Sequence, residues 1–412
     1  VSAQIETVIS GHSSPGRFAR ATSYVNPVKL PLTGYRRENG GWGVRNHVLV
    51  LPARAGANVA AAGIAAGAPG AVAVRHEWVG HPDDPDAALV RRTLAGFACN
   101  PNVAAVLVVG VGPADAALTA EIAARGQRVE SLTLAEHRGS AGTVAAGQEI
   151  ISSLLTAAAA AVREPMPISE LVVGLECGGS DALSGITANP ALGIASDRLV
   201  GEGATTMLSE VPELVGAERI LAARAVSPEV GERMVRVVED FEREVEALGI
   251  DIRGAQPTPG NIEGGLTTIE EKSLGAAKKA GNAPLTGVID FAERPGPHGL
   301  YVMDTPGHDI EQMVGLVAGG CQIVAFTTGR GTPTGSPIAP CLKISTNSRI
   351  FARMAGDIDL DAGRIVDGTV TLAEMGEEIY EAIVAACAGE PTASERRGNS
   401  EFAIRRAGQH HG

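Results

Sequence analysis

Between residues 174 and 190 the chain reads Gly174-Leu175-Glu176-Cys177-Gly178-Gly179-Ser180-Asp181, followed at once by Ser184-Gly185-Ile186-Thr187-Ala188-Asn189-Pro190. A thiol, a hydroxyl and a carboxylate grouped around two glycines can do chemistry. Cys177 can ligate a soft or borderline metal, and Asp181 can bind metal or act as a base. Gly178, Gly179 and Ser180 can turn tightly and offer successive backbone N–H groups to an anion. The same residues also suit a glycine-rich turn from strand to helix, with Cys177 a small buried apolar group and Asp181 an N-cap.

Three further stretches carry comparable groups. Phe326-Thr327-Thr328-Gly329-Arg330-Gly331-Thr332-Pro333-Thr334-Gly335-Ser336-Pro337 combines glycine donors, hydroxyls and one Arg suited to bidentate binding of a carboxylate or sulfonate; a rigid Pro/Gly connector is the plain alternative. Pro257 to Leu266 reads as an irregular loop holding Asn261, and Glu270-Glu271-Lys272-Ser273 as a helix whose Lys272 either faces a site or lies on a solvated charged face. Asp304-Thr305-Pro306-Gly307-His308-Asp309 ends another apolar run, making His308 an acid, base or ligand candidate beside the alternative of an exposed loop histidine. Near the front, Arg45 and Asn46 can reach a substrate carboxylate or serve as packing groups, and His76, His81, Asp83 and Asp84 can ligate metal, without the helical His spacing of a zinc motif. No Gly-x-x-x-x-Gly-Lys-Ser/Thr run is present, which argues against nucleoside triphosphate binding.

These groups need a scaffold, and the alternation of elements supplies one. Short apolar runs at Val48 to Leu51, Val103 to Val109, Leu171 to Leu175, Ala204 to Leu208, Val288-Ile289, Leu300 to Met303 and Gln322 to Thr327 read as strands. Helical patterns lie between them: Ala55 to Ala66, Asp84 to Phe97, Pro113 to Arg125, Ala191 to Glu202, Val230 to Leu248 and Ile310 to Val317, with a last one over 371–388. This order predicts an α/β protein of two units with mostly parallel sheets, Rossmann-like and flanked by helices. With 412 residues, two units are expected on size alone. The boundaries read as an N-terminal arm over 1–33, a first α/β domain over 34–165, a second over 166–390 holding the glycine-rich loops, and a polar tail over 391–412, with Arg163 to Pro167 as the linker.

Composition narrows the partners. A net charge of −13 disfavours nucleic acid and anionic membranes, and 3% aromatics argue against stacking platforms. No run approaches the roughly 20 apolar residues of a membrane span. The N-terminal sequence has no basic region followed by an apolar core. Cys99, Cys177, Cys321, Cys341 and Cys387 are widely spaced and odd in number, as expected of reduced thiols in a cytoplasmic protein.

Taken together, the motifs resemble the altronate/galactarate dehydratase family, which includes the large subunit of sulfolactate sulfo-lyase. The resemblance covers about 34–390 and is densest over Gly174 to Pro190, Pro257 to Gly275 and Thr327 to Pro337. It implies a metal-dependent lyase removing water or sulfite from a small hydroxy or sulfo carboxylate, with iron as the metal. One departure concerns that metal. The family pattern has a Cys after a His-Gly pair and another after a Gly-x-Gly strand end, but here those stretches read Gly80-His81-Pro82 and Gly110-Val111-Gly112-Pro113-Ala114. A family-type iron–sulfur cluster is therefore not expected from these positions. Cys177 is left with His76, His81 or Asp83 to build a harder site for Fe²⁺, Mn²⁺ or Mg²⁺. A second departure is that residues 1–33 are too short for the small β-rich domain fused to some members, which implies a separate small subunit and an oligomer.

The leading expectation is thus a carbon–oxygen or carbon–sulfur lyase. Arg330, Gly331, Thr332, Asn189, Asn261 and the Gly178-Gly179-Ser180 backbone would hold a small anionic acid, Cys177 and Asp181 would meet metal or substrate, and Lys272 or His308 would handle protons. Two other readings stand beside it: a metal-free α-proton transfer (epimerase or isomerase), and a non-enzymatic binder of small acids.

Overall fold

The computed structural model describes residues 31–81 and 84–406. Most of the expected N-terminal arm (1–30), Pro82, Asp83 and residues 407–412 of the expected tail lie outside them. Fourteen strands are described: β1 (Thr33–Arg36), β2 (Trp42–Gly43), β3 (His47–Pro52), β4 (Ala71–Ala73), β5 (Val103–Gly110), β6 (Val129–Thr133), β7 (Glu164–Pro165), β8 (Val172–Gly178), β9 (Thr205–Leu208), β10 (Leu285–Ile289), β11 (Gly299–Met303), β12 (Ile323–Thr328), β13 (Cys341–Ser345) and β14 (Leu360–Asp361). They form a four-stranded sheet ordered β4-β3-β5-β6, a seven-stranded sheet ordered β10-β11-β9-β8-β12-β13-β14, and a small antiparallel sheet ordered β2-β1-β7. Every pairing in the two larger sheets is parallel, giving the expected α/β class.

The continuous apolar runs explain this choice. Val103-Ala104-Ala105-Val106-Leu107-Val108-Val109 has no polar alternation, so β5 must be covered on both faces, as parallel strands are. One face of the four-stranded sheet, with Val48, Val50, Leu107 and Val109, packs on the helices Asn58–Ala66 and Ser140–Ala159. Its other face, with Leu49, Leu51, Val106 and Val108, joins an apolar cluster that runs through the helices Ala87–Ala98 and Asp309–Ala318 to Val324 and Phe326 of the seven-stranded sheet. The far face of that larger sheet, with Val173, Leu175, Ala325 and Ile344, is covered by the helices Ala188–Gly201, Pro228–Ala247, Ile269–Ala277 and Leu372–Cys387. Helix starts are marked where chemistry requires: Ser227, Thr268 and Thr371 each accept a backbone N–H three residues on.

Buried asparagines stitch the two larger sheets together. Asn102 accepts from the N–H groups of Val44 (2.9 Å) and Arg45 (3.2 Å) and donates to the carbonyls of Gln322 (2.8 Å) and Ile338 (3.0 Å). Asn100 donates to the carbonyls of Val317 (2.7 Å) and Cys321 (2.9 Å).

Several boundaries differ from the sequence expectation. Strand β8 runs on through Cys177 and Gly178, because its backbone continues to pair with Thr327 and Thr328 of β12. The helix Ser140–Ala159, which ends in the alanine-rich stretch before Arg163, has no counterpart among the expected helices. Pro257 to Leu266, expected as an irregular loop, contains the short helix Pro259–Glu263 with a Thr258/Asn261 capping box. The Arg163 to Pro167 stretch contains β7, which pairs with β1, so it is ordered structure rather than plain linker. The described part of the expected tail, up to 406, also packs: Glu395 pairs with Arg45, and Arg406 with Asp84. No described helix is long and apolar enough to cross a membrane.

Asn102→Ala removes the side-chain partner of four backbone groups, three of them in fully buried bonds, and it is expected to lower the unfolding free energy by about 3 kcal/mol or more in urea titration. Asn39→Ala, at an exposed turn, should stay within about 0.5 kcal/mol of the parent.

Candidate active site at the ends of the parallel strands

Strand order sets the location. From β8 the chain moves to β9 on one side and later returns to lay β12 on the other, so the connections diverge at the carboxyl end of β8. In open parallel sheets that divergence opens the crevice where ligands bind. The Cys177-Gly178-Gly179 and Thr327-Thr328-Gly329 stretches meet there, with Cys177 in register with Thr327 and Gly178 with Thr328.

Side chains from four segments converge beneath this end. Cys177, 2% exposed, donates its thiol to Glu213 Oε2 (3.3 Å) and accepts from Lys279 Nζ (2.7 Å). Lys279 also pairs with Glu210, and both side chains are within 1% of complete burial. Glu213 pairs with Lys272 (2.9 Å), which donates in addition to Gln256 Oε1 (2.9 Å). Glu210 and Glu213 come from the turn after β9. Glu210 takes the left-handed conformation (φ 74°) there, and its carboxylate accepts from the Cys177 N–H. That backbone state is unusual for a residue with a Cβ.

Burial governs the protonation of this group. It pushes the Cys177 thiol well above its ordinary range, so the neutral thiol prevails. It also pushes Glu210 up to about 8, against the pull of Lys279. Burial works against Glu213 in the same way, but Lys272 overrides it and holds that carboxyl below its usual value. Both lysines are raised: burial opposes their charge, and the surrounding anionic groups outweigh it. The group thus sets a carboxyl that burial makes easier to protonate, Glu210, against two ammonium charges that its anionic neighbours hold in place.

The opposite face of the strand end is also ionisable. Glu176 is fully buried, accepts from Ser209 Oγ, and is raised by burial and then by Glu210. Asp309 is raised to about 6, mainly by burial. Its carboxylate lies against Gly178, where an added Cβ would come within 2.3 Å of Oδ2.

The sequence candidates divide sharply. The three densest motif stretches do converge. Asn261 Nδ2 donates to the Ser180 carbonyl (2.9 Å), and Asn189 accepts from Thr327 Oγ1 (2.6 Å) while donating to the Gly275 carbonyl (3.0 Å). Asn189 and Asn261 thus brace the loops. Ser180 Oγ lies 3.7 Å from Cys177 Sγ. Asp181 is neither an N-cap nor an open base: its carboxylate accepts from Ser184, Thr346 and Asn347. Lys272, one of whose readings was a solvated face, is 8% exposed. Gly179, Asp181, Arg330, Gly331 and Thr332 line one open cavity of about 590 Å³.

Other candidates are committed elsewhere. Arg45 binds Glu395 (2.6 Å) and the Ala386 carbonyl (2.8 Å), and Asn46 is held between Arg37 and the Ala158 carbonyl, so both are packing groups. His76 is buried with Nε2 2.9 Å from the Pro52 carbonyl. Among the described residues, the one set of three His, Cys, Asp or Glu ligand atoms close enough to share a metal is Cys177, Glu210 and Glu213, which includes neither His76 nor His81. His308 is exposed ahead of the helix Asp309–Ala318. Glu210, Glu213 and Lys279 were missed by the sequence reading. Signals existed: two carboxylates three apart directly after a strand, and a further lysine seven residues beyond Lys272, in the 3-10 turn Lys278–Ala280 that follows the helix Ile269–Ala277.

Lys279→Met strands Glu210 beside a buried thiol and should cost about 3–5 kcal/mol in chemical denaturation, part of which Lys279→Met with Glu210→Gln recovers. Asp309, raised from 3.8 to about 6, stabilises the fold fully below the lower value and loses that contribution as pH rises through the upper one. Asp309→Asn is therefore expected to flatten the fall in urea midpoint between these two pH values.

Comparison with known proteins identifies the family. Residues 34–159 match the family model described as D-galactarate dehydratase/altronate hydrolase, second domain, and 168–410 match D-galactarate/altronate dehydratase, C-terminal. The chain is 38% identical over 376 residues to (2R)-sulfolactate sulfo-lyase subunit beta of Chromohalobacter salexigens, covering 90% of this chain and 96% of that one. It is 37% identical over 388 residues to altronate dehydratase of Escherichia coli and 34% identical over 386 to that of Bacillus subtilis, each covering 91% of this chain and 77% of the relative. These matches, which span both larger sheets, make this chain a member of the D-galactarate/altronate dehydratase family of carbon–oxygen and carbon–sulfur lyases.

Proposed function

We propose that the protein eliminates water, or sulfite, from a small hydroxylated or sulfonated carboxylate at the carboxyl ends of β8 and β12. The observation that carries this reading is the buried set Cys177, Glu210, Glu213, Lys272 and Lys279, which joins ionisable carboxyls to two ammonium charges at the strand end whose next turn, at Gly179, lines the cavity with Arg330. Family membership sets aside the non-enzymatic reading.

Elimination from a hydroxy acid needs three things. The carboxylate must be held, which suits Arg330 with its fork of donors. The α carbon must lose its proton to a base while the adjacent C–O or C–S bond breaks, the electron pair leaving with hydroxide or sulfite. Hydroxide then takes up a proton, and the enol left behind rearranges to a 2-oxo acid. Glu210 at about 8 can exchange protons near neutrality, while Lys272 and Lys279 offset the negative charge that builds on the substrate.

The family resemblance implies a divalent metal, and the donors Cys177, Glu210 and Glu213 fit a borderline cation such as Fe²⁺ by type. When bound, it would supply Lewis-acid polarisation of the leaving oxygen. Lys279 contacts two of these three donors, so loading requires its ammonium to withdraw. The same contact favours a second reading, α-proton transfer without metal. A separate small subunit is supported by the words "subunit beta" in the name of the sulfo-lyase relative.

Protein prepared without oxygen, supplied with Fe²⁺, Mn²⁺ or Mg²⁺ and with a candidate small subunit, should convert at least one member of a panel of sugar acids and sulfolactate to a 2-oxo acid. Lys272→Met should lower kcat by about 100-fold. Absence of 2-oxo acid across the panel would sink the lyase reading, and full turnover in chelator would select the metal-free one.

A further inference from the structure

The face of the strand end opposite Cys177 holds ionisable groups that the elimination above leaves unused. Glu176, Phe326 and Lys343 stand in register across β8, β12 and β13, so their side chains form one row on the same face of the sheet. Their chain neighbours Leu175, Ala325, Leu342 and Ile344 pack into the other layer. Lys343 is fully enclosed, with Nζ 4.6 Å from the centre of the Phe326 ring and without a hydrogen-bond partner among the described residues. Glu176 Oε1 is likewise buried and unpartnered. Buried polar atoms are nearly always satisfied, so two exceptions in one row call for a reason other than packing.

Asp309 completes this group. Its carboxylate and the tip of the Phe326 ring both crowd the place of a Cβ on Gly178, with Asp309 Cγ 2.8 Å and Phe326 Cζ 2.7 Å from that point. Burial and then Glu213 raise the Asp309 carboxyl to about 6, while Lys343 pulls it down. Glu176, Glu210 and Lys343 have no exposed surface, whereas Asp309 is only half-buried. That difference matters, because a base must touch the α carbon. Glu210 is enclosed, Glu213 is held by Lys272 and Cys177, and Asp181 is held by Ser184, Thr346 and Asn347. Asp309 stands against Gly178, one residue before Gly179 on the cavity wall.

We propose that Asp309 is the base that takes the α-proton, and that Lys343 is a positioning residue whose charge steadies the Asp309 carboxylate from beside the Phe326 ring. This rests on the lyase reading and gives it a base. An Asp309 oxygen bonds the α-proton, the C–H electron pair becomes the new C=C bond, and the C–O or C–S pair leaves with hydroxide or sulfite. Asp309 then passes the proton to water, which regenerates the carboxylate. At about 6 it is a stronger base than an ordinary carboxylate and is still mostly ionised at neutral pH.

The test uses the metal-loaded full chain with its candidate small subunit and a panel of sugar acids and sulfolactate carrying deuterium beside the carboxylate, and it follows both 2-oxo acid and loss of deuterium to solvent. Asp309→Asn should lower kcat and deuterium loss together by about 100-fold or more. Calorimetric titration of that variant with the acid the parent converts should give binding within about threefold of the parent, since a base acts on the transition state. Lys343→Met should lower kcat about tenfold at unchanged KM and enlarge the deuterium isotope effect, as proton transfer becomes the slow step. More than about a tenth of the parental kcat in Asp309→Asn, or loss of its binding along with its turnover, overturns the assignment of the base; full kcat in Lys343→Met overturns the positioning role. A parent that forms no 2-oxo acid and loses no deuterium removes the lyase reading and this base with it, whereas elimination by both parent and Asp309→Asn overturns this inference alone.

Discussion

Charge cancellation in a space closed to water is the condition on which the end of β8 depends. Lys279 has no exposed surface, and an unpaired ammonium there would either lose its proton or unfold its surroundings. Glu210 pairs with it, Cys177 accepts from it, Glu213 accepts the hydrogen bond of the Cys177 thiol, and Lys272 keeps Glu213 ionised. Each member is stable only because its neighbours are in place. The backbone is bent to serve this arrangement: Glu210 adopts a left-handed conformation that turns its carboxylate back under the Cys177 N–H, and its own N–H is capped by Thr305 Oγ1 (2.6 Å).

The same strand end also shows why glycines and hydroxyls crowd the motifs. Side chains alternate across a strand, so Glu176 and Cys177 face opposite layers, and each needs its own polar company in an otherwise apolar sandwich. Gly178 has no side chain because the Asp309 carboxylate and the Phe326 ring fill the place a Cβ would take. Gly329 faces Asp181 in the same way, with Oδ1 2.5 Å from an added Cβ. These close approaches let three loops from distant parts of the chain share one floor, leaving an open, arginine-lined cavity beside a buried, ionisable group.

Much of this was legible beforehand. The apolar runs identified β3, β5, β8, β9 and β12 because parallel strands covered on both faces cannot alternate with polar residues. Strand β13 escaped notice since Cys341-Leu342-Lys343-Ile344-Ser345 carries a lysine in a strand with no exposed position. Nothing local announces that Lys343 will lie over the Phe326 ring, 4.6 Å from its centre. Arg45 and Asn46 misled for the opposite reason: an Arg-Asn pair before a strand looks available, and what consumes it is Glu395, 350 residues away, together with Arg37 and the Ala158 carbonyl.

Sequence alone determined the α/β class, the alternation of strands and helices, and the motif stretches that meet at the crevice, because each is encoded in local hydrophobic period and turn chemistry. It offered His76 and His81 as metal ligands beside Cys177, whereas the ligand set close enough to share a metal among the described residues is Cys177, Glu210 and Glu213. Only the tertiary structure decided that Asp181 is held by three side chains, that Lys272 is buried, and that Glu210, Glu213 and Lys279 surround Cys177. The reason is physical. Whether a charged side chain is solvated or buried and paired depends on groups brought together by chain crossovers, and no local pattern specifies those distances.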